Sequence, residues 1–267
     1  MSDLLLRLDI TLFRWFNGVL IHPWLDVLAR LGSGMYLMPV VILAAVLVAW
    51  KGGIRGRVCL FVLLLAISLA DGGVTSFLKQ AIGRLRPPQQ LDGVRLLVGV
   101  GRSKGMPSAH AANWFTAVTV FFIFYRRSPW IFLPAALTVS WSRVYNGVHY
   151  PFDVLVGALV GVLCGLLTTN VLEWVWCHPV RRWFPLWQTR LPSLRNPPDR
   201  LAPAATIADP QATTRHWLRL GYLLIAAFSL LTLWILSSSH FLGSARMKST
   251  SGCGRDTSTF RNTASRP

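Results

Sequence analysis

The sequence predicts an all-α fold, a polytopic membrane helix bundle of about six spans. Of its 267 residues, 53% are hydrophobic and only 14% are charged. The mean hydropathy is +0.47, which is high for a soluble domain and typical of a multi-pass membrane protein. The net charge of +17 does not indicate nucleic acid, because the basic residues mostly lie in loops between apolar runs. That placement favours membrane lipids and phosphate groups as partners.

Residues 1–33 are predicted to form one or two amphipathic helices that lie in the membrane interface. Apolar residues such as Leu6, Ile10 and Phe13 recur near helical spacing and alternate with charged residues. A signal-peptide layout is absent, since Asp3 and Asp9 interrupt the segment and no small-residue cleavage site follows.

Apolar runs predict the spans in chain order. They cover residues 35–50, 58–78, 109–125, 130–145, 154–175 and 217–237. Five of them fall in a membrane core over residues 34–177. A short basic turn at 51–57 joins the first two spans, and a polar loop at 79–104 follows the second.

Beyond the core, the sequence divides into three parts. Residues 178–216 form a basic, Pro-rich cytoplasmic linker, residues 217–237 an additional transmembrane helix, and residues 238–267 a disordered tail. Oligomeric state is left open.

The four cysteines do not indicate a disulfide framework or a zinc site. Cys59, Cys164 and Cys177 lie in or beside apolar runs, where a small buried hydrophobic residue is the simplest role, and Cys253 stands alone in the polar tail. No carboxylate cluster suggests a catalytic metal, so neither metal nor cofactor is expected.

Basic residues predict the orientation. The loops at 51–57, 126–127 and 178–219 share one side and contain twelve Lys and Arg residues, so that side is predicted to be cytoplasmic. The loops at 79–107 and 142–153 then face the extracytoplasmic, or periplasmic, side of the cell membrane.

The stretch from Ser142 to Asp153 carries the strongest chemical signal. Arg143 offers a planar fork suited to phosphate oxygens, and His149 has a ring nitrogen that can attack phosphorus or carry a proton. Asp153, four residues later, can orient the imidazole and stabilise its charge. Asn146 and Gly147 form a turn signal, so the stretch predicts a helix end, a turn, a reactive histidine and a new helix start.

Two further polar clusters lie at span ends on the same predicted face. Lys79 and Arg86 follow the second span, and Ser108 and His110 open the third. Ser108 suits an N-cap, whose following amides form an anion site. We expect the cations to surround one anion, with His110 and His149 on opposite sides of a bound phosphorus.

Each residue alone has a simpler interpretation. Lys79 or Arg86 can be an interfacial cation, Ser108 only a cap, and Asp153 a first-turn carboxylate. His110 can be a packed helix residue. Because all of these residues lie on the same predicted face, a single shared site is favoured.

Asp71, within the second span, is interpreted as a helix-packing or supporting group. Four other loop cations are interpreted as solvated: Arg84, Arg95, Arg102 and Lys104. The alternative is that a second phosphate or a sugar headgroup binds some of them.

The motifs K-x6-RP, PSxH and SR-x5-H-x3-D resemble those of the type 2 phosphatidic acid phosphatase superfamily, in the right order over residues 71–165. The resemblance implies that His149 is the nucleophile of a phosphohistidine, that Asp153 orients it and that His110 is the general acid. It implies phosphate ligands at Lys79, Arg86, Ser108 and Arg143. Ala109 stands where the family usually has glycine, which affects the amide contact expected there.

The expected activity is metal-independent hydrolysis of a lipid phosphate or diphosphate. By resemblance, undecaprenyl pyrophosphate is the leading substrate, with phosphatidic acid, phosphatidylglycerol phosphate and phosphorylated lipid A as competitors. A lipid-to-lipid phosphotransferase would use the same residues. A transporter of anionic lipid or phosphate is the alternative from another class, but transporters place their sites near the bilayer midplane.

Overall fold

The computed structural model describes residues 3–33, 37–101, 103–183 and 191–197. In these residues the secondary structure is helical and contains no strand, which confirms the all-α fold class. The α-helices are α1 (Asp3–Arg14), α2 (Pro23–Leu31), α3 (Met38–Lys51), α4 (Gly53–Ile67), α5 (Ser76–Ile82), α6 (Ala109–Phe124), α7 (Pro129–Tyr145), α8 (Pro151–Val175) and α9 (Arg181–Trp183). Short π-helical segments continue α1, join α4 to α5, and join α8 to α9.

Two largely helical stretches are long and apolar enough to cross a membrane. They run over Gly53–Gln89 and Pro151–Trp183, and the shorter apolar helices Pro39–Lys51 and Ala109–Phe124 flank them in sequence. Helices occupy all five predicted spans of the core. The total of six spans stays a prediction, because residues 217–237 and the tail at 238–267 lie outside the described residues.

Two predicted loops are partly helical. The basic turn expected at 51–57 is confined to the junction of α3 and α4, because residue 51 still belongs to α3 and residues 53–57 already belong to α4. The linker expected from residue 178 begins later, since the helical chain continues to Trp183.

A stripe of glycines fixes how α8 packs on α6. Gly157, Gly161 and Gly165 recur every fourth residue and therefore share one helix face. A Cβ at Gly157 would lie 2.4 Å from the carbonyl oxygen of Ser108, and one at Gly161 would lie 2.2 Å from that of Ala112. Only glycine permits this backbone approach, which is the small-residue packing typical of membrane helices.

Leucines line a different face of α8. Leu155, Leu159, Leu163 and Leu167 are each more than half exposed. Such an exposed apolar stripe is unfavourable in water and suits contact with lipid chains.

Apolar clusters close the interior of the bundle. One joins α4 to α6 through Cys59, Val62 and Phe121. Another joins α6 to α8 through Ala112 and Cys164. Both cysteines are buried free thiols, as the sequence predicts.

The N-terminal helices pack against the turn between α7 and α8. Phe13 of α1 is buried with Val144 and Tyr150. Asn17 binds the carbonyl oxygens of Arg95 and Tyr145, each at 2.8 Å. This segment is therefore part of the fold around that turn, and its predicted position in the membrane interface stays a prediction.

Candidate active site

The turn between α7 and α8 holds His149 in a fixed position. Gly147 has φ +79°, and a Cβ there would lie 2.6 Å from the carbonyl oxygen of Arg95, so the turn requires glycine. Asn146 donates to the carbonyl oxygen of Ala29 and to Ser33. Pro151 begins α8, and His149 is only 3% exposed. The predicted order of helix end, turn, histidine and helix start is confirmed.

Asp153 lies in the first turn of α8 and faces the His149 ring. Its Oδ2 lies 3.5 Å from His149 Nδ1, an ion-pair distance at which the two groups do not have hydrogen-bond geometry. The same oxygen accepts a hydrogen bond from the Tyr150 amide at 3.0 Å. Oδ1 accepts one from Arg84 at 2.9 Å. The carboxylate, which is fully buried, is thus fixed from three directions.

Arg86 determines the tautomer of His149. Its Nη1 lies 3.2 Å from His149 Nε2. A guanidinium can only donate, so Nε2 carries the lone pair and the hydrogen of the neutral ring is on Nδ1, toward Asp153. Nε2 is the nitrogen that a nucleophilic role requires to be unprotonated.

Backbone and hydroxyl oxygens hold Arg86 in place. Nη1 also donates to the carbonyl oxygen of Val148, and Nε and Nη2 donate to the carbonyl and hydroxyl oxygens of Ser103. The arginine is 6% exposed. A buried cation with this many neutral acceptors keeps its full charge for an anion.

Two groups of the site have unused hydrogen-bonding capacity. Ser108 is at the N-cap of α6, as predicted, but its buried Oγ makes no capping bond and has no partner among the described residues. Arg143 is 6% exposed, and its Nε and Nη2 are likewise without a partner in the described chain. These buried polar atoms are available to hydrogen-bond a ligand.

Electrostatic interactions connect the remaining residues to this group. The His110 ring, in the first turn of α6, interacts with Arg143, His149, Lys79 and Arg86. Lys79, in α5, interacts with Arg86 and Asp153. The structure therefore brings all seven sequence-predicted residues to one end of the bundle.

The pKa of His149 is lowered from its ordinary value of 6.5, chiefly because the ring is buried. The charges of Arg86 and Arg143 also lower it, and Asp153 opposes them. The neutral ring, which is the nucleophilic form, therefore persists below pH 6.5.

Comparison with known proteins identifies the family. The pattern of the PAP2 superfamily matches residues 58–177. A lipid A 4'-phosphatase of Bacteroides thetaiotaomicron is 34% identical over 179 residues, which are 62% of this chain and 78% of the relative. The chain belongs to the PAP2 superfamily. This confirms the family that the sequence motifs predict.

Two further proteins are similar to this chain. YbjG of Escherichia coli K12, named as a candidate undecaprenyl-diphosphatase, is 30% identical over 68% of this chain and 90% of its own. The crystal structure of Aquifex aeolicus LpxE has 32% identity and a TM-score of 0.49, with 61% of this chain and 95% of that chain covered.

The interpretation of Arg84 as a solvated loop cation is wrong. In this PAP2 chain its side chain is 10% exposed and forms ion pairs with Asp9 and Asp153. Arg95 was expected to be solvated as well, but it pairs with Asp26. Lys104 is exposed, as expected, and Arg102 lies outside the described residues. The sequence alone does not reveal which carboxylate pairs with a loop arginine, because the two residues lie far apart in the chain.

Asp71 has a partner inside the bundle. Its Oδ2 accepts a hydrogen bond from Asn113 of α6 at 3.1 Å. This contact agrees with the interpretation that Asp71 supports helix packing. Within the described residues, no three His, Cys, Asp or Glu side chains lie together as a metal site would require.

Proposed function

We propose that this chain is an integral-membrane lipid phosphatase that works through a phosphohistidine at His149. One observation carries the proposal. Arg86 lies 3.2 Å from His149 Nε2, and the Asp153 carboxylate faces the other side of the ring. His110 interacts electrostatically with His149, and Arg143 and Lys79 act on the same group. That arrangement combines a nucleophile, its orienting group, an acid and cations for one phosphoryl group.

In the first step, Nε2 attacks phosphorus and the bond from phosphorus to the leaving oxygen breaks. His110 gives its proton to that oxygen, so the lipid alcohol or the lipid monophosphate departs with its leaving oxygen protonated. Asp153 stabilises the positive ring of the phosphohistidine. The contact of 3.5 Å shortens as the ring becomes charged, since reactive hydrogen bonds often tighten only in the complex.

In the second step, water attacks the phosphohistidine. His110 accepts a proton from that water, the bond from nitrogen to phosphorus breaks, and phosphate leaves. His149 returns to the neutral tautomer with its lone pair on Nε2. The four groups proposed to hold the phosphoryl oxygens throughout are Lys79, Arg86, Ser108 and Arg143.

The substrate class proposed is a lipid phosphate or diphosphate at the extracytoplasmic face. The relatives are named for lipid A and for undecaprenyl diphosphate, which share a phosphate on a large lipid. The exposed leucine stripe of α8 and the basic loops at the other end of the bundle support this placement.

Phosphate release by the purified protein tests the proposal. The panel contains undecaprenyl diphosphate, phosphatidic acid, phosphatidylglycerol phosphate and lipid A, each with and without EDTA. We expect release from at least one lipid, unchanged by the chelator. Labelled phosphate that appears on a second lipid instead of in water would select the phosphotransferase.

The blank for this panel is His149→Ala, and His178→Ala is its matched control. His178 follows α8 at its other end, is exposed and contacts the carbonyl oxygen of Trp174. Full activity in the His178 variant and none in the His149 variant are expected. Release from no lipid phosphate, or equal activity in both variants, would overturn the proposal.

A further inference from the structure

Asp9 is a buried carboxylate far from the site in sequence. It lies on the inward face of α1 beside Phe13 and is fully buried. Its Oδ1 accepts a hydrogen bond from the Phe152 amide at 2.9 Å, across 143 residues of chain. Its Oδ2 accepts one from Arg84. A fully buried carboxylate is costly unless it is paired, so these contacts determine its role.

Arg84 connects that carboxylate to the site. One arm of its guanidinium binds Asp9, and the other, Nη1, binds Asp153 Oδ1 at 2.9 Å. The group also lies over the Tyr150 ring, 4.2 Å from its centroid. A planar fork with fixed donors on two carboxylates and an aromatic face beneath it has little freedom to rotate.

The resulting chain of contacts ends at the reactive ring. Asp9 binds Arg84, Arg84 binds Asp153, and Asp153 faces His149. Asp9 also holds the backbone at Phe152, in the same helical turn as Asp153. The N-terminal helix therefore acts on both the side chain and the backbone that orient the histidine.

We propose that Asp9 and Arg84 are positioning residues that hold the Asp153 carboxylate against His149, so that α1 completes the active centre. This rests on the proposed function of His149 as nucleophile. Neither residue touches the phosphoryl group, and both act through Asp153.

The charges around His149 give the proposal a signature. Arg86, Arg143 and His110 face the ring from other elements and are unchanged in every variant below. Behind the ring, Asp9, Arg84 and Asp153 carry a formal net charge of −1 when both carboxyl groups are ionised. Burial raises the pKa of Asp9, and the hydrogen bonds from Phe152 and Arg84 oppose that shift. Making this set less negative disfavours the protonated ring, and making it more negative favours it.

Two substitutions shift this charge in opposite directions. Asp9→Asn brings the net charge of the set to zero. The acid limb of the pH profile, where protonation of His149 lowers kcat/KM, therefore moves to lower pH. Arg84→Gln brings the net charge to −2, so the limb moves to higher pH. A shift of about one pH unit is expected for each. The double variant restores −1 and returns the limb close to its native pH.

The rates distinguish positioning from binding. Asp9→Asn is expected to lower kcat about tenfold with little change in KM, because the phosphate ligands remain in place. Arg84→Lys keeps the charge but loses the planar fork that fixes the two carboxylates in one geometry, so kcat falls while the acid limb stays in place.

Asp26→Asn is the matched control. Asp26 lies in the same N-terminal segment and pairs with Arg95, but its other oxygen accepts a hydrogen bond from the Tyr145 hydroxyl and not from a group that contacts His149. We expect its acid limb and kcat to match those of the native protein even if its unfolding temperature falls.

A readout that needs no turnover separates this proposal from the proposed function. The titration of His149 is followed by NMR of protein labelled with ¹⁵N-histidine in micelles, with the resonance assigned by His149→Ala. The midpoint of the His149 titration is expected at the lowest pH in Asp9→Asn, at an intermediate pH in the native protein and at the highest pH in Arg84→Gln. If the native protein is inactive but the midpoints follow this order, the proposed phosphatase activity is refuted and the positioning role stands. Equal midpoints, or shifts in the same direction, would overturn the positioning role whether or not the protein is active.

Discussion

The two histidines of the site are held in different ways. Both nitrogens of His149 face fixed charged groups, Arg86 on one side and Asp153 on the other, and the ring is buried. His110 is half-buried and makes no side-chain hydrogen bond within the described residues. The difference teaches that the protein fixes the position of the proposed nucleophile in advance and leaves the proposed acid free to meet a leaving group.

His149→Ala should have the largest effect. Without Nε2 no phosphohistidine can form, so lipid phosphate turnover should fall to the background rate. Phosphate release and the thermal unfolding midpoint measure this together. If the variant is folded and retains substantial activity, the nucleophile has been misassigned.

His110→Ala should lose less activity than His149→Ala, and the size of the loss should depend on the leaving group. General acid catalysis contributes roughly 10²–10⁴-fold. We expect a loss of that order in kcat/KM for a lipid alcohol and a much smaller one for p-nitrophenyl phosphate, whose leaving group departs as p-nitrophenolate without a proton. The comparison of kcat/KM on the two substrates checks this, because kcat/KM leaves out the hydrolysis of the phosphohistidine that both substrates share. Equal losses on both would remove the acid role.

Asp153→Asn should lower kcat about a hundredfold or more, with a small effect on KM. It should also move the acid limb of the profile. Burial already lowers the pKa of His149, and Asp153 is the group that raises it. Its loss makes the protonated ring less stable, so activity should persist to lower pH than in the native protein. A limb that moves to higher pH would contradict this account.

Ser108→Ala should have the smallest effect and should act on binding. The buried hydroxyl has no partner in the described residues, so removing it leaves folding stability unchanged or raises it by about 1 kcal/mol. Binding of inorganic phosphate or vanadate should weaken about tenfold. Calorimetry measures both. A large loss of stability would show that Ser108 is mainly a structural cap.

Much of the site could be predicted from the sequence because its residues lie at helix ends. The turn chemistry of Asn146 and Gly147, and the four-residue spacing of His149 and Asp153, are local signals that fix local structure. The bounds of the apolar runs predicted the helix ends to within a few residues. The glycine stripe of α8 is also local, yet its partner on α6 is visible only in the structure.

The supporting contacts could not be predicted. Asp9 and Arg84 meet across 75 residues, and no local rule relates a carboxylate in an amphipathic helix to an arginine in a loop. The one available signal was the placement of Asp9 four residues before Phe13, on the apolar face of α1. A charge on such a face indicates a buried partner, but not which one.

The most direct measurement is to trap the covalent intermediate. The protein is mixed with ³²P-labelled lipid phosphate and quenched within milliseconds in alkaline denaturant, in which phosphohistidine survives and which stops turnover. The account predicts label on the peptide that contains His149, stable in base and lost in acid. Label on a different residue, or none while phosphate is released in a burst, would contradict it.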